Sequence, residues 1–207
     1  MVPEAIRIKF IKTGRLRYIS HLDLCRTVQS AMIRAKIPLW YTEGFNPHPK
    51  MVFTQPLPLF AESRCELLDI KIVEEMPCEE ILNRLRRALT DELAPIAVYT
   101  PTDKLADIAY AEYEIRDISV SAKKLKSMLS GSIEVTKKTK SGQEKTVDIR
   151  PQVKSVSLRP DGTVACVLSA SGSEYLNPEI FARALDGGED YTVTRTGWLK
   201  ADMSEFK

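Results

Sequence analysis

Residues 4–11, EAIRIKFI, alternate without a break: Ile6, Ile8 and Phe10 fall to one side, Arg7 and Lys9 to the other. A period of two demands a strand with one covered face and one wetted face. That strand needs a covering layer, and the chain supplies one directly. Leu22, Cys25, Val28, Met32 and Ala35 recur at spacings of three and four, with Ser20 before them and Asp23 three residues after Ser20. Serine followed by an acid at this spacing predicts a capped helix start, and Pro38 predicts the helix end. Arg26, Ser30 and Arg34 share the opposite side. Between strand and helix, Lys12–Arg15 reads as a turn and Arg17-Tyr18-Ile19 as extended chain.

The same periods organise the rest. Met51–Thr54 and residues 65–73 (CELLDIKIV) read as strands. A helix opens at Pro77 and runs to about Leu93, with Ile81, Leu82, Leu85, Ala88 and Leu89 inward. Pro95–Thr100 closes as a strand. Strand, helix, strand pair, helix, strand is the ferredoxin-like βαββαβ order. After Pro101–Ala106 the order recurs. Residues 109–119 read as a strand, Ser121–Leu129 as a helix with Leu125, Met128 and Leu129 inward, and 132–139 with 145–149 as a hairpin around Lys140–Gln143. A second hairpin, 153–159 with 163–169, turns on Arg159-Pro160-Asp161-Gly162. A helix capped by Asn177 with Pro178 in its first turn follows, and 191–199 closes. The expected fold class is α+β: two ferredoxin-like (βαββαβ) domains in tandem, 1–100 and 109–207, joined by a linker over 101–108. The second carries an extra β-hairpin.

Composition excludes some functions. A chain of 207 residues, 43% hydrophobic and 28% charged, suits two domains of about 100 residues. No apolar run approaches the roughly 20 residues that span a bilayer, and MVPEAIRIKF lacks the apolar segment of a secretory signal. A cytoplasmic protein without a membrane partner is expected. Cys25, Cys65, Cys78 and Cys166 show no C-x-x-C spacing and read as free thiols, so no metal or cofactor is expected on this chain. The net charge of +2 conceals an asymmetry: residues 1–50 carry nine Lys/Arg against Glu4, Asp23 and Glu43. A basic first quarter is a candidate footprint for RNA or another anion.

Candidate function concentrates between Lys12 and Pro58. The start of a helix presents free N–H groups, so Ser20 and His21, with Lys12, Arg15 and Arg17 upstream and Lys50 downstream, form a candidate anion or RNA site. Against it stands Asp23, which occupies part of that field. Both histidines, His21 and His48, lie in this window. A general acid and a general base at one phosphodiester suffice for RNA cleavage without metal, so the pair is a catalytic candidate. The bland alternative is that His21 serves the cap and His48 pins a rigid loop. Trp40, Tyr41 and Phe45 are candidates for stacking on bases, or for the core. The loop Gly44-Phe45-Asn46-Pro47-His48-Pro49 is a candidate docking surface. Lys137, Lys138, Lys140 and Lys145 make a basic hairpin tip.

Arg17-Tyr18-Ile19-Ser20-His21-Leu22-Asp23-Leu24, then Tyr41-Thr42-Glu43-Gly44-Phe45-Asn46-Pro47-His48-Pro49-Lys50 and Pro56-Leu57-Pro58-Leu59, resemble the motifs of the radical SAM-linked protein family, a bacterial family of unknown function. Its members occur alone or joined to the C-terminus of a radical SAM protein. The resemblance implies a radical SAM protein as partner and supplies no activity. Tyr18 stands where phenylalanine is common, and Thr42-Glu43 where Ser-Gln is common. The chain lacks the C-x-x-x-C-x-x-C cluster of the radical enzyme itself. Three functions are therefore carried forward: a non-catalytic module that binds RNA or another anionic substrate for a radical SAM partner; a metal-independent RNA-processing endonuclease using His21 and His48; and a protein–protein adaptor. Tandem ferredoxin-like domains are also similar in architecture to the RNA-processing endonucleases of CRISPR systems, but Gly187-Gly188 is too little to stand for their glycine-rich loop.

Overall fold

The computed structural model describes residues 4–138, 144–186, 188 and 190–207. It is an α+β protein whose strands pair antiparallel and whose described residues include four α-helices. The chain divides into two units, one running to Leu105 and taking in Lys207, the other Ala106–Phe206.

The first unit has the order β1 (Glu4–Lys12), α1 (His21–Arg34), β2 (Met51–Phe53), β3 (Glu62–Ile72), α2 (Cys78–Ala88), β4 (Pro95–Tyr99). Its strands lie side by side as β4-β1-β3-β2. Ile6, Ile8 and Phe10 of β1 face a common core with Leu68, Ile70 and Ile72 of β3, and α1 and α2 cover it with Val28, Met32, Ile81 and Leu85. Each such fully buried side chain contributes about 1.5–3 kcal/mol.

Local chemistry explains the ends of α1. Ser20 Oγ accepts from the Asp23 N–H at 3.1 Å and donates to Asp23 Oδ2 at 2.7 Å. The helix stops before Pro38 by its own geometry. Lys36 takes φ +53°, and the N–H groups of Lys36 and Ile37 reach back to Ile33 and Met32 at 3.0 and 3.1 Å. This is the double-bonded helix stop that glycine usually supplies.

Three local expectations need correction. Leu22 is 57% exposed; the inward stripe is Leu24, Val28, Ala31 and Met32. Both sets obey the same spacing, and the position of the sheet selects one. Arg17 and Tyr18 belong to a 3₁₀ turn, Gly14–Tyr18, instead of extended chain. The helix from Pro77 ends at Ala88, and a separate 3₁₀ turn, Asp91–Leu93, follows it.

The second unit runs β5 (Ile108–Arg116), α3 (Ala122–Ser130), β6 (Glu134–Lys138), β7 (Glu144–Asp148), β8 (Val153–Leu158), β9 (Val164–Ser169), α4 (Pro178–Asp186), β10 (Thr192–Lys200). Its main strands are ordered β10-β5-β9-β8, and β6 pairs with β7 apart from them. Ser121 and Asn177 cap α3 and α4 by accepting from Lys124 N–H and Glu179 N–H. Of the α3 stripe, Leu125 is buried, while Met128 and Leu129 are half-buried. Gly162, at φ +85°, makes the turn between β8 and β9. The expected turn Lys140–Gln143 and Gly187 lie outside the described residues.

Candidate functional site

Two charged side chains continue the apolar face of the first sheet. Lys12 extends the series Ile6, Ile8, Phe10 and is 2% exposed; Glu66 extends Leu68, Ile70, Ile72 and is 4% exposed. Phe10 stands opposite Glu66 in the ladder, and Lys12 opposite Ser63 past a bulge. His21, the first residue of α1, lies over this end of the sheet. Its ring meets Phe53 edge-on at 5.6 Å, and Cys25 Sγ lies 3.5 Å from its Nε2. Burial pushes the His21 imidazole below its ordinary range; the charge of Glu66 opposes that shift and Lys12 adds to it. Burial likewise pushes the Cys25 thiol up, which keeps it protonated.

The His21 shift has a definite sign. Unfolded histidine titrates near about 6.5, and the folded group titrates lower. Between the two values the unfolded chain binds more protons, so stability rises with pH there. The contribution is full above the unfolded value and is lost as pH falls through the folded one. The expected result is a wild-type protein that loses more urea stability than His21→Asn on acidification below about pH 6.5. Parallel curves for the two proteins would show that His21 is not linked to folding.

Just upstream, the chain builds an exposed platform. Gly14 has φ +58°, and a Cβ there would displace the Glu92 carboxylate from the turn, so glycine is favoured. The Gly14 N–H donates to Glu62 at 3.0 Å and the Arg15 N–H to Glu92 at 3.2 Å. These bonds hold the turn that presents Arg15, Arg17 and Tyr18. The Arg17 guanidinium lies 5.0 Å from the Tyr18 ring centre and donates to its hydroxyl at 2.7 Å. Tyr18 in turn meets Phe60 edge-on at 5.8 Å. Tyr18 is 54% and Phe60 60% exposed. Phe60 sits at φ +71° and its N–H donates to the Arg17 carbonyl at 2.9 Å. A bulky residue in the left-handed region costs about 1–2 kcal/mol, so the fold holds an exposed aromatic ring in place against strain.

The loop after β-bridge residue Tyr41 is self-contained. Trp40 and Lys50 close its base, the Lys50 N–H donating to the Trp40 carbonyl at 3.0 Å. Among the described residues His48 bonds only within the loop, its N–H donating to Thr42 Oγ1 at 3.2 Å and its Nδ1 lying 3.3 Å from the Asn46 carbonyl. Phe45 projects fully into solvent, Gly44, Asn46, Pro47 and His48 are exposed, and Pro49 is buried. Trp40 is half-buried beneath the Lys71 ammonium at 5.5 Å, and Tyr41 is exposed.

The candidate residues therefore fall into three places. Lys12 and Glu66 are buried at the end of the sheet, and both act electrostatically on the half-buried His21. Arg15 and Arg17 are on the platform, and both polar functions of the Ser20 side chain are engaged in the helix cap. Lys50 and Gly44–Pro49 form the loop. Among the described residues no interaction joins His21 to His48, and no group of acids, histidines and cysteines is disposed to hold a metal. Among the described residues no helix is long and apolar enough to cross a membrane. None of the four cysteines is in a disulfide; Cys65 and Cys166 are buried, Cys25 and Cys78 half-buried. Sequence reasoning missed Glu66 and Phe60. The signal for Glu66 was present, because it continues the apolar period of β3. Nothing local foretells the backbone conformation of Phe60.

Fold and site define an α+β protein that pairs a buried charged cluster with an exposed aromatic and cationic surface at one end of α1. Residues 5–178 match a family described as "Uncharacterized protein conserved in bacteria (DUF2344)", and the chain belongs to that family. A comparison with curated proteins finds no match.

Proposed function

We propose that this protein is a non-catalytic module that holds RNA, or another anionic substrate, for a radical SAM partner in the bacterial cytoplasm. The observation that carries the reading is the cluster Arg17–Tyr18–Phe60, in which two solvent-exposed rings stand beside the half-buried Arg17 and Phe60 is held in a strained backbone. Exposed rings beside a guanidinium accept unpaired bases, each stacked base contributing about 1–3 kcal/mol. Arg15 adds charge for the adjoining phosphates. The radical SAM partner rests on the motif resemblance. We further read both units as ferredoxin-like domains. Each places its last strand beside its first and its second at the edge, and the second unit adds β6–β7 between its first helix and its second strand.

Fluorescence anisotropy with a labelled single-stranded RNA tests this. Binding is expected to weaken as salt rises, and Arg15→Ala/Arg17→Ala to flatten the salt slope by about 1.4. Phe60→Gly is expected to weaken binding by about tenfold while leaving folding stability unchanged or raised, because glycine relieves the strain. Absence of salt-dependent binding, or indifference to Phe60→Gly, would sink the reading.

The adaptor reading has its own observation, the fully exposed Phe45 on a loop braced internally by His48. Retained capture of a radical SAM partner after Phe45→Ala would count against it. The endonuclease reading draws no support from two histidines with separate surroundings.

A further inference from the structure

The opposite end of α1 carries a second cationic feature that no motif announces. Where α1 and α2 end side by side, a cleft of about 500 Å³ opens, lined by Arg34, Ala35, Lys36, Arg84, Arg87 and Ala88. Two of its cations are fixed by reciprocal capping. Arg34 of α1 donates to the Ala88 carbonyl at the end of α2 at 2.9 Å, and Arg84 of α2 donates to the Lys36 carbonyl past the end of α1 at 3.1 Å. Arg34 is further held by Ser30 at 2.8 Å and Arg84 by Glu80 at 2.6 Å. Helix C-termini attract cations, and capping alone accounts for these two.

It does not account for the other two. Lys36 and Arg87 are exposed, and among the described residues neither side chain has a hydrogen bond or ion pair; the bonds of Lys36 are made by its backbone. Lys36 is held at φ +53°, where glycine is the usual residue. The lining contains no carboxylate, and Glu80, one turn before Arg84, is paired with it. It also contains no aromatic ring, so the cleft can read charge and phosphate shape but cannot stack a base.

We propose that this cleft is a binding site for a run of adjacent phosphates, with Lys36 and Arg87 as the recruiting charges and Arg34 and Arg84 as the fixed walls. It lies one full α1 from the Arg17–Tyr18–Phe60 platform, and α1 has 14 residues, about 21 Å at the usual helical rise. The two sites therefore stand or fall separately.

Calorimetric titration of the whole chain with sodium tripolyphosphate at low salt tests it. Saturable binding is expected, weakened by at least about tenfold in Lys36→Gln/Arg87→Gln and within about twofold of wild type in Arg15→Ala/Arg17→Ala. Both replaced side chains are exposed and unbonded, so an unchanged thermal midpoint will certify the fold. The source of the phosphates follows from a second arm. If they belong to RNA, tripolyphosphate competes with labelled RNA and Lys36→Gln/Arg87→Gln weakens RNA binding; if they belong to a free oligophosphate, RNA binding is untouched while tripolyphosphate still binds. No saturable tripolyphosphate binding, or equal binding by Lys36→Gln/Arg87→Gln, overturns the proposal, whatever happens at the platform.

Discussion

Glu66→Ala is expected to lower unfolding stability by about 3–5 kcal/mol, the range for removing one partner from a buried charged set. Glu66 is 4% exposed and Lys12 2%, and both act on the His21 ring with opposite sign. Alanine removes the negative charge from an interior that still holds Lys12, and it also leaves a cavity. Because Glu66 opposes the burial of His21, its loss is expected to push the imidazole further down, which proton NMR of the ring reads directly. A double replacement, Lys12→Met with Glu66→Leu, removes both charges and restores volume. It should recover most of the lost stability in urea unfolding, because apolar isosteres of buried pairs are commonly neutral or better. A double variant as unstable as the single one would mean that packing, not charge, explains the loss.

Arg7→Ala is expected to cost about 3 kcal/mol by the same measurement. Arg7 has no exposed surface. It lies on the face of β1 opposite to Lys12 and pairs across the ladder with Asp69, both oxygens engaged at 2.6 and 2.8 Å. Its remaining donors reach the carbonyls of Lys207 at 3.0 Å and Asp103 at 2.9 Å. The guanidinium therefore ties Lys207 and Asp103 to the first strand. Asp69 keeps 24% of its side-chain surface, so water can recover part of its solvation, which holds the cost to the lower part of the range. Arg7→Lys should rescue little, since a single ammonium cannot span two carboxylate oxygens and two carbonyls in one plane. Full rescue by lysine would show that charge alone suffices.

Much of the architecture was legible because its causes are local. Alternation over EAIRIKFI and the Ser20, Ser121 and Asn177 caps operate within a few residues, and the structure forms them there. Errors began where a neighbour decides. Leu22 and Leu24 both fit a helical stripe, and only the sheet beneath α1 selects Leu24. Pro38 would have ended the helix, yet Lys36 ended it sooner by adopting φ +53°. The site divides in the same way. Arg15 and Arg17 were apparent as charge before a helix. Lys12 was grouped with them, although its place in the period of β1 buries it.

The sequence by itself determined the alternation of strands and helices, the start of α1 and the window in which function lies. These follow from periodicity and from hydrogen bonds closed over three or four residues. Tertiary structure alone decided that Glu66 joins His21, that Phe60 stands beside Tyr18, and that Arg34, Lys36, Arg84 and Arg87 line one cleft. The partners brought together from different elements are 42 to 53 residues apart in the chain. Their meeting depends on how helices pack onto a sheet, and that is fixed by the burial of the whole core.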